Sequence, residues 1–268
     1  MDIEAFAQLE VAQGAPVHCH DGIWWRRIKP FYSWPLQTLK AFPRGTCRPS
    51  LLYSAIGYEH AVPDAREANA ILPLMLLQDL NGYGLDCLSP KTRSHIRRGI
   101  KQVDVRRLDD IRDLVDQGVE INRSALARQG WGGSRHGYTD EGPWRQMVER
   151  SHLTGARETW GAYVNGRLVA YQRAYVLDGT VCITQAMSHS DYLKCNPNDA
   201  LLHTFLMDCK ARSDVEGVLF GLECAKSSLN EHKRRFGFEV IKLPVYRRLN
   251  PVVRYIARFT RYRHYVKG

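Results

Sequence analysis

The sequence lacks the segments that would place it across a membrane. Its longest apolar run, residues 70–77, is interrupted by Pro73 and is too short to span a bilayer. The first residues, 1–4, do not have the pattern of a secretory signal. The seven cysteines are odd in number and scattered, without a Cys-x-x-Cys pair, so neither a disulfide nor a zinc framework is indicated. We expect a cytosolic protein with reduced thiols.

Metal-binding residues are also sparse, since the one metal-like cluster is His18-Cys19-His20, whose adjacent side chains point apart. No metal site is predicted. The composition, with 44% hydrophobic and 25% charged residues in a chain of 268, is ordinary for a soluble globular protein. That length accommodates one large domain or two small ones.

The net charge of +10 is confined to two segments. Residues 90–107 hold seven Lys and Arg against one acidic residue, and residues 241–268 hold eight against none. Clustered cations are typical of proteins that bind a polyanion, such as nucleic acid, lipid headgroups or a cofactor phosphate. Two solvated basic faces are the alternative.

The N-terminal part of the chain is predicted to be a mixture of short elements. Residues 1–50 indicate short strands and loops whose aromatic residues pack on the main domain. Residues 51–58 have the composition of a strand. Apolar residues recur at helical spacing over residues 64–80, which predicts a helix that is kinked or split at Pro73.

A basic helix is predicted after residue 88. Ser89 is a good N-cap and Pro90 suits the first helical position. Arg93, Arg97 and Lys101 follow at i, i+4 and i+8. Since a row of cations without acidic partners repels itself, a negative ligand along this face is indicated.

The C-terminal part predicts an alternation of strands and helices. Asn165-Gly166 and Asp178-Gly179 are strong hairpin turns, which make residues 159–187 a strand meander. Helices are predicted over residues 109–128, 143–154 and 197–211 and from residue 251, and strands over 217–222 and 238–249.

Residues 228–238 predict a short helix that enters the last strand. Leu229, His232 and Phe236 share one helical face, and Gly237 stands where a helix favours a left-handed residue. The three basic residues before Phe236 lie where the helix dipole favours cations. On these grounds alone, the segment is a basic amphipathic helix with a solvated face.

The residue order in this segment also resembles a known motif. Leu-x-x-x-Lys-x-x-Phe-Gly-Phe, over residues 229–238, is similar to the last helix and strand of the GNAT acyltransferase superfamily. It is most similar to the FemAB-like branch, which has a lysine four residues before the glycine. Residues 89–105 resemble the FemAB-like motif that leads into the C-terminal GNAT unit. Two motifs in the right order extend the resemblance over residues 89–250.

The resemblance implies an α/β (α+β) fold with a GNAT-like mixed, mostly antiparallel central sheet flanked by helices. It divides the chain into an N-terminal extension or reduced first GNAT half (1–88), a GNAT-like domain (89–250) and a basic amphipathic helix (251–268). It also implies transfer of an activated acyl or aminoacyl group onto the amine of a small molecule or peptide, with no tightly bound cofactor.

The donor site is where the sequence departs from ordinary GNAT enzymes. These enzymes bind the pyrophosphate of coenzyme A at a Gly-rich turn before the helix that follows the meander. Residues 191–200 contain no glycine and place Asp199 at that position. The FemAB-like branch uses aminoacyl-tRNA, which also suits the two basic segments. We therefore favour aminoacyl-tRNA as the donor, with acyl-CoA as the first alternative and a non-catalytic RNA- or membrane-binding protein as the second.

The resemblance also implies the site residues. Lys233 is expected to stabilise the oxyanion or to bind the donor phosphate. Glu223 is expected to orient or deprotonate the amine, with a salt bridge to an arginine as the alternative. Ser228 and Tyr192 are further catalytic candidates. The donor-binding candidates are Arg93, Arg97, Arg98, Lys101, Asn198, Asp199 and Arg234. The acceptor-binding candidates are Arg128 and Trp131.

A cationic face and an apolar side coexist in residues 251–268. Arg254, Arg258 and Arg261 follow at i, i+4 and i+7, which suits either a nucleic-acid backbone or an anionic membrane surface. Because arginine binds phosphate bidentately, we predict that these three residues bind RNA. Peripheral contact with an anionic membrane is the alternative.

Overall fold

The computed structural model describes residues 1–29, 31–130, 136–224 and 227–257. Its helices are α1 (Ile3–Ala12), α2 (Leu51–Ser54), α3 (Pro90–Gln102), α4 (Arg112–Gln129), α5 (His136–Thr139), α6 (Glu141–Leu153), α7 (Pro197–Ala211), α8 (Ser227–Arg234) and α9 (Pro251–Ala257). Its strands are β1 (Val17–His20), β2 (Ile23–Lys29), β3 (Tyr32–Pro35), β4 (Gly57–Ala61), β5 (Ala70–Leu77), β6 (Asp104–Arg107), β7 (Glu158–Val164), β8 (Arg167–Leu177), β9 (Thr180–Ser188), β10 (Gly217–Leu222) and β11 (Glu239–Leu249). None of the helices in this part of the chain is both long and apolar enough to cross a membrane.

The chain forms two compact units, residues 1–74 with 241–268 and residues 75–240. In the first unit the strand order is β1-β2-β3-β4-β11. Neighbouring strands are antiparallel except β3 and β4, which are parallel. Trp25 and Tyr58 belong to its buried core. The N-terminal helix α1, which was not predicted, is joined to β2 by an ion pair between Glu10 and Arg26.

Two predictions for the N-terminal part are wrong. Residues 51–58 do not form one strand, because α2 occupies residues 51–54 and β4 begins at Gly57. Residues 64–80 do not form an α-helix; a 3-10 turn, Ala65–Glu67, precedes the strand β5. β5 is buried without interruption from Leu74 to Leu77, whereas Ile71 is exposed. A buried helix and a buried strand have the same pattern over so short a run.

His18 is expected to make the first unit sensitive to acid. Its ring stacks on Tyr53 with centroids 3.6 Å apart, and neither ring nitrogen has a hydrogen-bond partner among the described residues. Burial, with the charges of His20 and Arg27, lowers the pKa of His18 from 6.5 to about 4. Between these values the unfolded chain binds a proton that the folded chain does not. The free energy of unfolding therefore decreases as the pH falls from about 6.5 to about 4.

We predict that His18→Phe, which keeps the aromatic stack, reduces this loss of stability. The measurement is the melting temperature by circular dichroism at about pH 7 and about pH 5. The difference between the two melting temperatures is expected to be smaller in the variant than in the wild type. His152→Phe, at an exposed position, is the control. An equal acid-induced decrease in wild type and His18→Phe would exclude His18 as the cause.

The second unit contains the predicted meander. β7, β8 and β9 are consecutive antiparallel strands. Asn165, Gly166, Asp178 and Gly179 all have positive φ in the connecting turns, so both predicted hairpin turns are confirmed. β6 pairs with β7 and β10 with β9, which makes the strand order β10-β9-β8-β7-β6.

Helices cover both faces of this sheet. Adjacent residues of β8 belong to different core clusters: Ala170 packs with residues of α3 and α7, and Tyr171 with residues of α4 and α6. The first cluster includes the fully buried Phe205 and Phe236, and the second the fully buried Trp144. The prediction of a mixed, mostly antiparallel sheet flanked by helices is confirmed.

The parallel pair of β9 and β10 opens after three residues. Pairing begins at Thr180 and Gly217 and stops at Cys182 and Leu219, although β9 continues for another six residues, to Ser188. The C-terminal ends of two adjacent strands therefore separate. Because α7 follows β9 and α8 follows β10, both helices begin at this open end.

Candidate active site

The inner face of α8 holds the free end of β10. Lys233, 7% exposed, donates to the carbonyl oxygens of Phe220 (2.6 Å) and Leu222 (3.1 Å). One turn earlier, the Asn230 side chain accepts from the backbone N–H of Cys224 (2.8 Å) and donates to its carbonyl oxygen (2.7 Å). The i, i+3 spacing places Asn230 and Lys233 on one side of the helix. This side therefore clamps residues 220–224.

The rest of the Lys-x-x-Phe-Gly-Phe motif supports this clamp. Phe236 is fully buried, and Gly237, with φ of 86°, ends the helix in the left-handed conformation that glycine adopts without strain. Phe238 is also buried and packs its ring against Phe220, with centroids 5.6 Å apart. The motif thus fixes the position of Lys233 relative to β10.

The ammonium of Lys233 has one donor to spare. It carries three N–H groups, and two are used by the carbonyl oxygens of β10. Burial lowers the pKa of Lys233. No acceptor for the third N–H is found among the described residues, and the role of Lys233 at an oxyanion stays a prediction. The structure adds a second role, the positioning of the strand end.

Glu223 and Arg234 bind each other at the end of β10. Their Oε1 and Nη2 atoms are 2.6 Å apart. This is the salt bridge that was the alternative role of Glu223, and it pairs a predicted acceptor-activating carboxylate with a predicted donor-binding cation. Ser228 lies exposed in the first turn of α8. The catalytic and donor-binding roles of these three residues stay predictions.

A carboxylate lies between two imidazoles at the N-terminus of α7. Asp199, 7% exposed, has its Oδ2 atom 3.7 Å from Nδ1 of His95 and its Oδ1 atom 3.5 Å from Nδ1 of His232. Burial lowers the pKa of His232, and the nearby Asp199 opposes that shift. Pro197 at the start of the helix has no N–H group. This helix start therefore offers fewer backbone donors and one carboxylate where a pyrophosphate would need donors.

α3 approaches this helix start closely because residue 99 is glycine. A Cβ atom on Gly99 would lie 2.8 Å from the carbonyl oxygen of Asn196 and 3.0 Å from Cβ of Ala200. Close packing brings His95 to Asp199, and it brings Arg98 into contact with the side chain of Asn196. Arg98 therefore lies at the N-terminus of α7, and its donor-binding role stays a prediction.

A second polar cluster lies at the C-terminal end of β9. Arg128 of α4 donates to the carbonyl oxygen of Ser188 (3.0 Å) and to Oγ of Ser190 (2.8 Å). Asn198 of α7 donates to Oγ of Ser188 (3.0 Å), and the hydroxyls of Ser124 and Ser190 bond each other. Burial lowers the pKa of Arg128, and its partners within the described residues are hydroxyls and a carbonyl. The predicted acceptor residue Arg128 and the predicted donor residue Asn198 therefore meet at Ser188.

Tyr192 lies beside this cluster. It belongs to the 3-10 helix Ser190–Cys195, is partly exposed, and packs edge-on against the ring of His189 with centroids 5.6 Å apart. The 3-10 helix begins two residues after β9 ends, so Tyr192 lies close to the end of that strand. Its catalytic role stays a prediction.

The basic face of α3 is solvent-accessible. The predicted cap is confirmed, since Ser89 Oγ accepts from the N–H of Thr92 at 3.2 Å. Arg97 and Lys101 are exposed and Arg93 is partly exposed, and none of the three forms an ion pair with another described residue. Lys101 also lines an open cavity of about 600 Å³ bounded by the end of α3, β6 and the β7–β8 turn.

Four predicted binding residues cannot be placed. Trp131, Arg258 and Arg261 lie outside the described residues, as does the side chain of Arg254. The backbone of α9 begins at Pro251, as predicted. Roles of these residues in acceptor or RNA binding stay predictions.

Sequence reasoning missed a group of buried polar residues on β8 and its neighbours. Tyr171 donates to Asn122 Oδ1 and accepts from Nε2 of Gln185, and Arg173, two residues along β8, is only 6% exposed. A signal was present, because Gln172-Arg173 interrupts an otherwise largely apolar stretch between the two hairpin turns. Nothing in the sequence indicates that Asn122, on a helix 49 residues away, completes the group.

A model of the acetyltransferase (GNAT) domain family matches residues 90–234. No curated protein sequence matched the chain. Among solved structures, FemX aligns with a TM-score of 0.61 and 10% identity over 95% of this chain and 92% of its own. The C-terminal domain of a putative lysylphosphatidylglycerol synthetase from Agrobacterium fabrum aligns with a TM-score of 0.57 and 11% identity, over 93% and 89%. L-PGS from Bacillus licheniformis aligns with 0.53 and 12%, over 94% of each chain. The predicted GNAT family is confirmed by the family model, and the structural alignments confirm a fold shared with FemX.

Proposed function

Because the chain belongs to the acetyltransferase (GNAT) domain family, we propose that this acyltransferase moves an aminoacyl group from tRNA onto an amine. The amine nitrogen attacks the ester carbonyl and forms a tetrahedral oxyanion. Collapse of this intermediate breaks the bond to the ribose oxygen and leaves an amide. The nitrogen loses a proton, and the free hydroxyl of the tRNA gains one. An aminoacyl ester is already activated, so the protein has to position both substrates and stabilise the oxyanion.

One observation favours tRNA over coenzyme A as the donor. The N-terminus of α7, where a GNAT enzyme would bind the pyrophosphate, begins with Pro197 and holds the buried carboxylate of Asp199. A carboxylate at that position repels a pyrophosphate, and proline withholds one backbone donor. The exposed cations of α3 support the same donor, because a tRNA backbone supplies phosphates far from the reacting ester.

The opening between β9 and β10 is the proposed place of the reacting ester. The spare N–H of Lys233 and the Arg128 cluster belong to the elements that border this opening. Lys233 would contribute the donor to the oxyanion, and Arg128 would bind the acceptor. One of the similar structures is named for lysylphosphatidylglycerol, a lysyl group joined to a lipid. An acceptor at an anionic membrane is therefore a second candidate for this chain.

The donor is tested with the purified full chain in two steps. Ultraviolet absorbance at 260 nm and sequencing identify RNA that co-purifies. Transfer to a mixture of amines, with and without anionic liposomes, is then compared for radiolabelled aminoacyl-tRNAs and for acetyl-CoA. Transfer from aminoacyl-tRNA alone supports the proposal. Transfer from acetyl-CoA alone would assign the chain to the acyl-CoA-dependent enzymes, and RNA or liposome binding without transfer from either donor would indicate a non-catalytic protein.

We predict that Arg93→Gln/Arg97→Gln/Lys101→Gln weakens tRNA binding and its dependence on salt. Each phosphate neutralised by a cation contributes about 0.9 to the slope of log K against log salt for duplex nucleic acid. Loss of three contacts should therefore flatten the slope by at most about three. Filter binding over a series of salt concentrations measures it.

The control variant loses the same three positive charges, but at arginines that already form ion pairs within the protein. Arg66, Arg112 and Arg145 each form an ion pair with an aspartate, and their replacement with Gln is expected to leave the slope nearly unchanged. Equal slopes for the wild type and the α3 variant would indicate that Arg93, Arg97 and Lys101 are only exposed to solvent and do not bind tRNA.

A further inference from the structure

Arg173 is a buried cation for which the described residues offer no partner. It lies in the middle of β8 and is 6% exposed. Its side chain is on the same face of the strand as that of Tyr171, which precedes it by two residues. Its Nε atom is buried and has no hydrogen-bond partner. Within the described part of the chain its guanidinium forms no ion pair.

Such a group is costly unless something negative reaches it. A buried charge without a partner loses its hydration, and no ion pair or hydrogen bond compensates for that loss. The residues around Arg173 do not supply an anion: its electrostatic neighbours are the phenols of Tyr171 and Tyr138 and the cation of Arg157. Burial, the largest effect, lowers the pKa of Arg173 to about 10. At neutral pH the side chain is therefore still charged.

Another arginine of the same unit, Arg212, is paired with carboxylates. Arg212 is half-buried and binds Glu158 at 3.2 Å and Asp214 at 3.2 Å. Burial raises the pKa of Glu158, whose side chain is 8% exposed, and the nearby Arg212 opposes that shift. Arg173 is more deeply buried than Arg212 and has no such carboxylate. A role in packing alone does not account for a charge at this position.

The strand is irregular at this residue. Arg173 is opposite Gln185, and Ala174 is opposite Ile183, so Thr184 is an extra residue on β9. The Thr184 hydroxyl donates to the carbonyl oxygen of Arg173 at 3.1 Å. A bulge changes the direction of the side chains beside it and is common next to binding sites. Here it falls on the unpaired arginine.

The neighbouring polar groups cannot satisfy Arg173 themselves. Gln185 donates to Tyr171, Tyr171 donates to Asn122, and Asn122 donates to the carbonyl oxygen of Tyr138 (2.9 Å). The two hydrogen bonds of the Tyr171 hydroxyl are buried, and the bond from Asn122 is partly buried. Together these bonds form a rigid polar surface beside the guanidinium while leaving its donors free.

We propose that Arg173 binds a singly charged oxyanion of the acceptor, either a carboxylate or a phosphodiester. The planar guanidinium offers two parallel N–H groups to two oxygens of such a group. One negative charge balances the one cation that the site holds. The inference rests on the proposed function, since it places the acceptor on the side of the sheet covered by α4, whose last turn carries Arg128.

The test measures anion binding without any transfer assay. The melting temperature of the full chain is recorded with N-acetylglycine, dimethyl phosphate or neutral N-acetylglycinamide at equal ionic strength. We expect one or both anions to raise the melting temperature of the wild type and the amide to have no effect. Stabilisation by N-acetylglycine alone indicates an amino-acid or peptide acceptor, and stabilisation by dimethyl phosphate alone a lipid-like one. No stabilisation by either anion would overturn the proposal.

Two variants separate ligand binding from packing. Arg173→Met is expected to abolish the anion effect while the melting temperature without anions stays equal or rises, because an unpaired buried charge is removed. Arg212→Met, the control, is expected to melt lower and to keep the anion effect. A decrease for Arg173→Met as large as that for Arg212→Met would assign Arg173 to structure. If Arg173→Met does not fold, Arg173→Lys is tested instead, since lysine keeps the charge but lacks the two parallel N–H groups of the guanidinium. The proposal then requires that the anions raise the melting temperature of Arg173→Lys less than that of the wild type. Anion binding in a chain that transfers nothing would refute the proposed function and leave Arg173 as an anion-binding site without an acceptor role.

Discussion

Replacing Lys233 with methionine is expected to reduce the rate of transfer by about 100- to 1,000-fold, the usual effect of removing one donor to an oxyanion. Methionine has a similar length and fills the same space against Phe220 and the end of β10. The variant lacks both the spare N–H and the two hydrogen bonds that hold Phe220 and Leu222. Single-turnover transfer from the donor identified for the wild type measures the loss.

Stability must be measured beside activity, because the same substitution frees two carbonyl oxygens. Leu222 is 39% exposed, so water can replace the lysine at least there. We expect the free energy of unfolding to change by less than about 3 kcal/mol. A folded variant without transfer activity then assigns Lys233 to the reaction.

Lys210 provides a matched control. Its ammonium also donates to a backbone carbonyl oxygen, that of Tyr83, at 2.7 Å, but it lies at the end of α7 that is remote from the opening between the strands. Lys210→Met is expected to retain nearly full transfer activity. Near wild-type turnover in Lys233→Met would refute the assignment. Equal losses in both variants would indicate a structural effect common to lysines that bind backbone carbonyl oxygens.

Trp144→Ala is expected to destabilise the second unit by about 3–5 kcal/mol, a large part of the stability of an ordinary domain. Trp144 of α6 is fully buried against α4 and β8, and its Nε1 donates to the carbonyl oxygen of Leu114 at 2.9 Å. Its ring fits against Gly118, where a Cβ atom would lie 2.5 Å from it. Alanine leaves a cavity that these close neighbours cannot fill and a buried carbonyl without its donor. Urea unfolding monitored by circular dichroism measures the change.

Two further variants on α6 show how much of the destabilisation by Trp144→Ala comes from loss of the buried ring. Trp144→Phe keeps most of the ring and loses the N–H group, so it is expected to cost clearly less than the alanine variant. Leu153→Ala, at a position 82% exposed, is expected to change the free energy of unfolding by less than about 0.5 kcal/mol. A small effect of Trp144→Ala would mean that α4 and α6 hold together without this contact.

The positions of turns and helix ends followed from the sequence because they depend on neighbouring residues. Asn165-Gly166 adopts positive φ at both positions, as the turn type requires. Ser89 caps α3 through the N–H group three residues later, and Gly237 ends α8. In each case the partners are separated by a few residues and the conformation is set by the residue type. The two motifs that resemble the FemAB-like branch also consist of such short segments, which is why they could be recognised.

β5 shows where local reasoning failed. Its apolar residues are spaced as in a helix, and Pro73 is compatible with a kinked helix as well as with a strand. The choice depends on what lies beside the segment. A continuous apolar run is buried on both sides by a sheet or by a helix bundle alike, and only the neighbouring strands decide.

The sequence by itself therefore determined the family, the order of most elements in residues 89–250 and the identity of the lysine in the last helix. Only the tertiary structure decided what the charged groups do. Lys233 binds the carbonyl oxygens of a strand that ends eleven residues earlier, and Asp199 meets histidines from two other helices. Arg173 has no counter-ion among the residues that the structure describes. Charge and hydrogen bonding depend on distances between groups that are far apart in the chain. Those distances exist only after the sheet and its covering helices have packed.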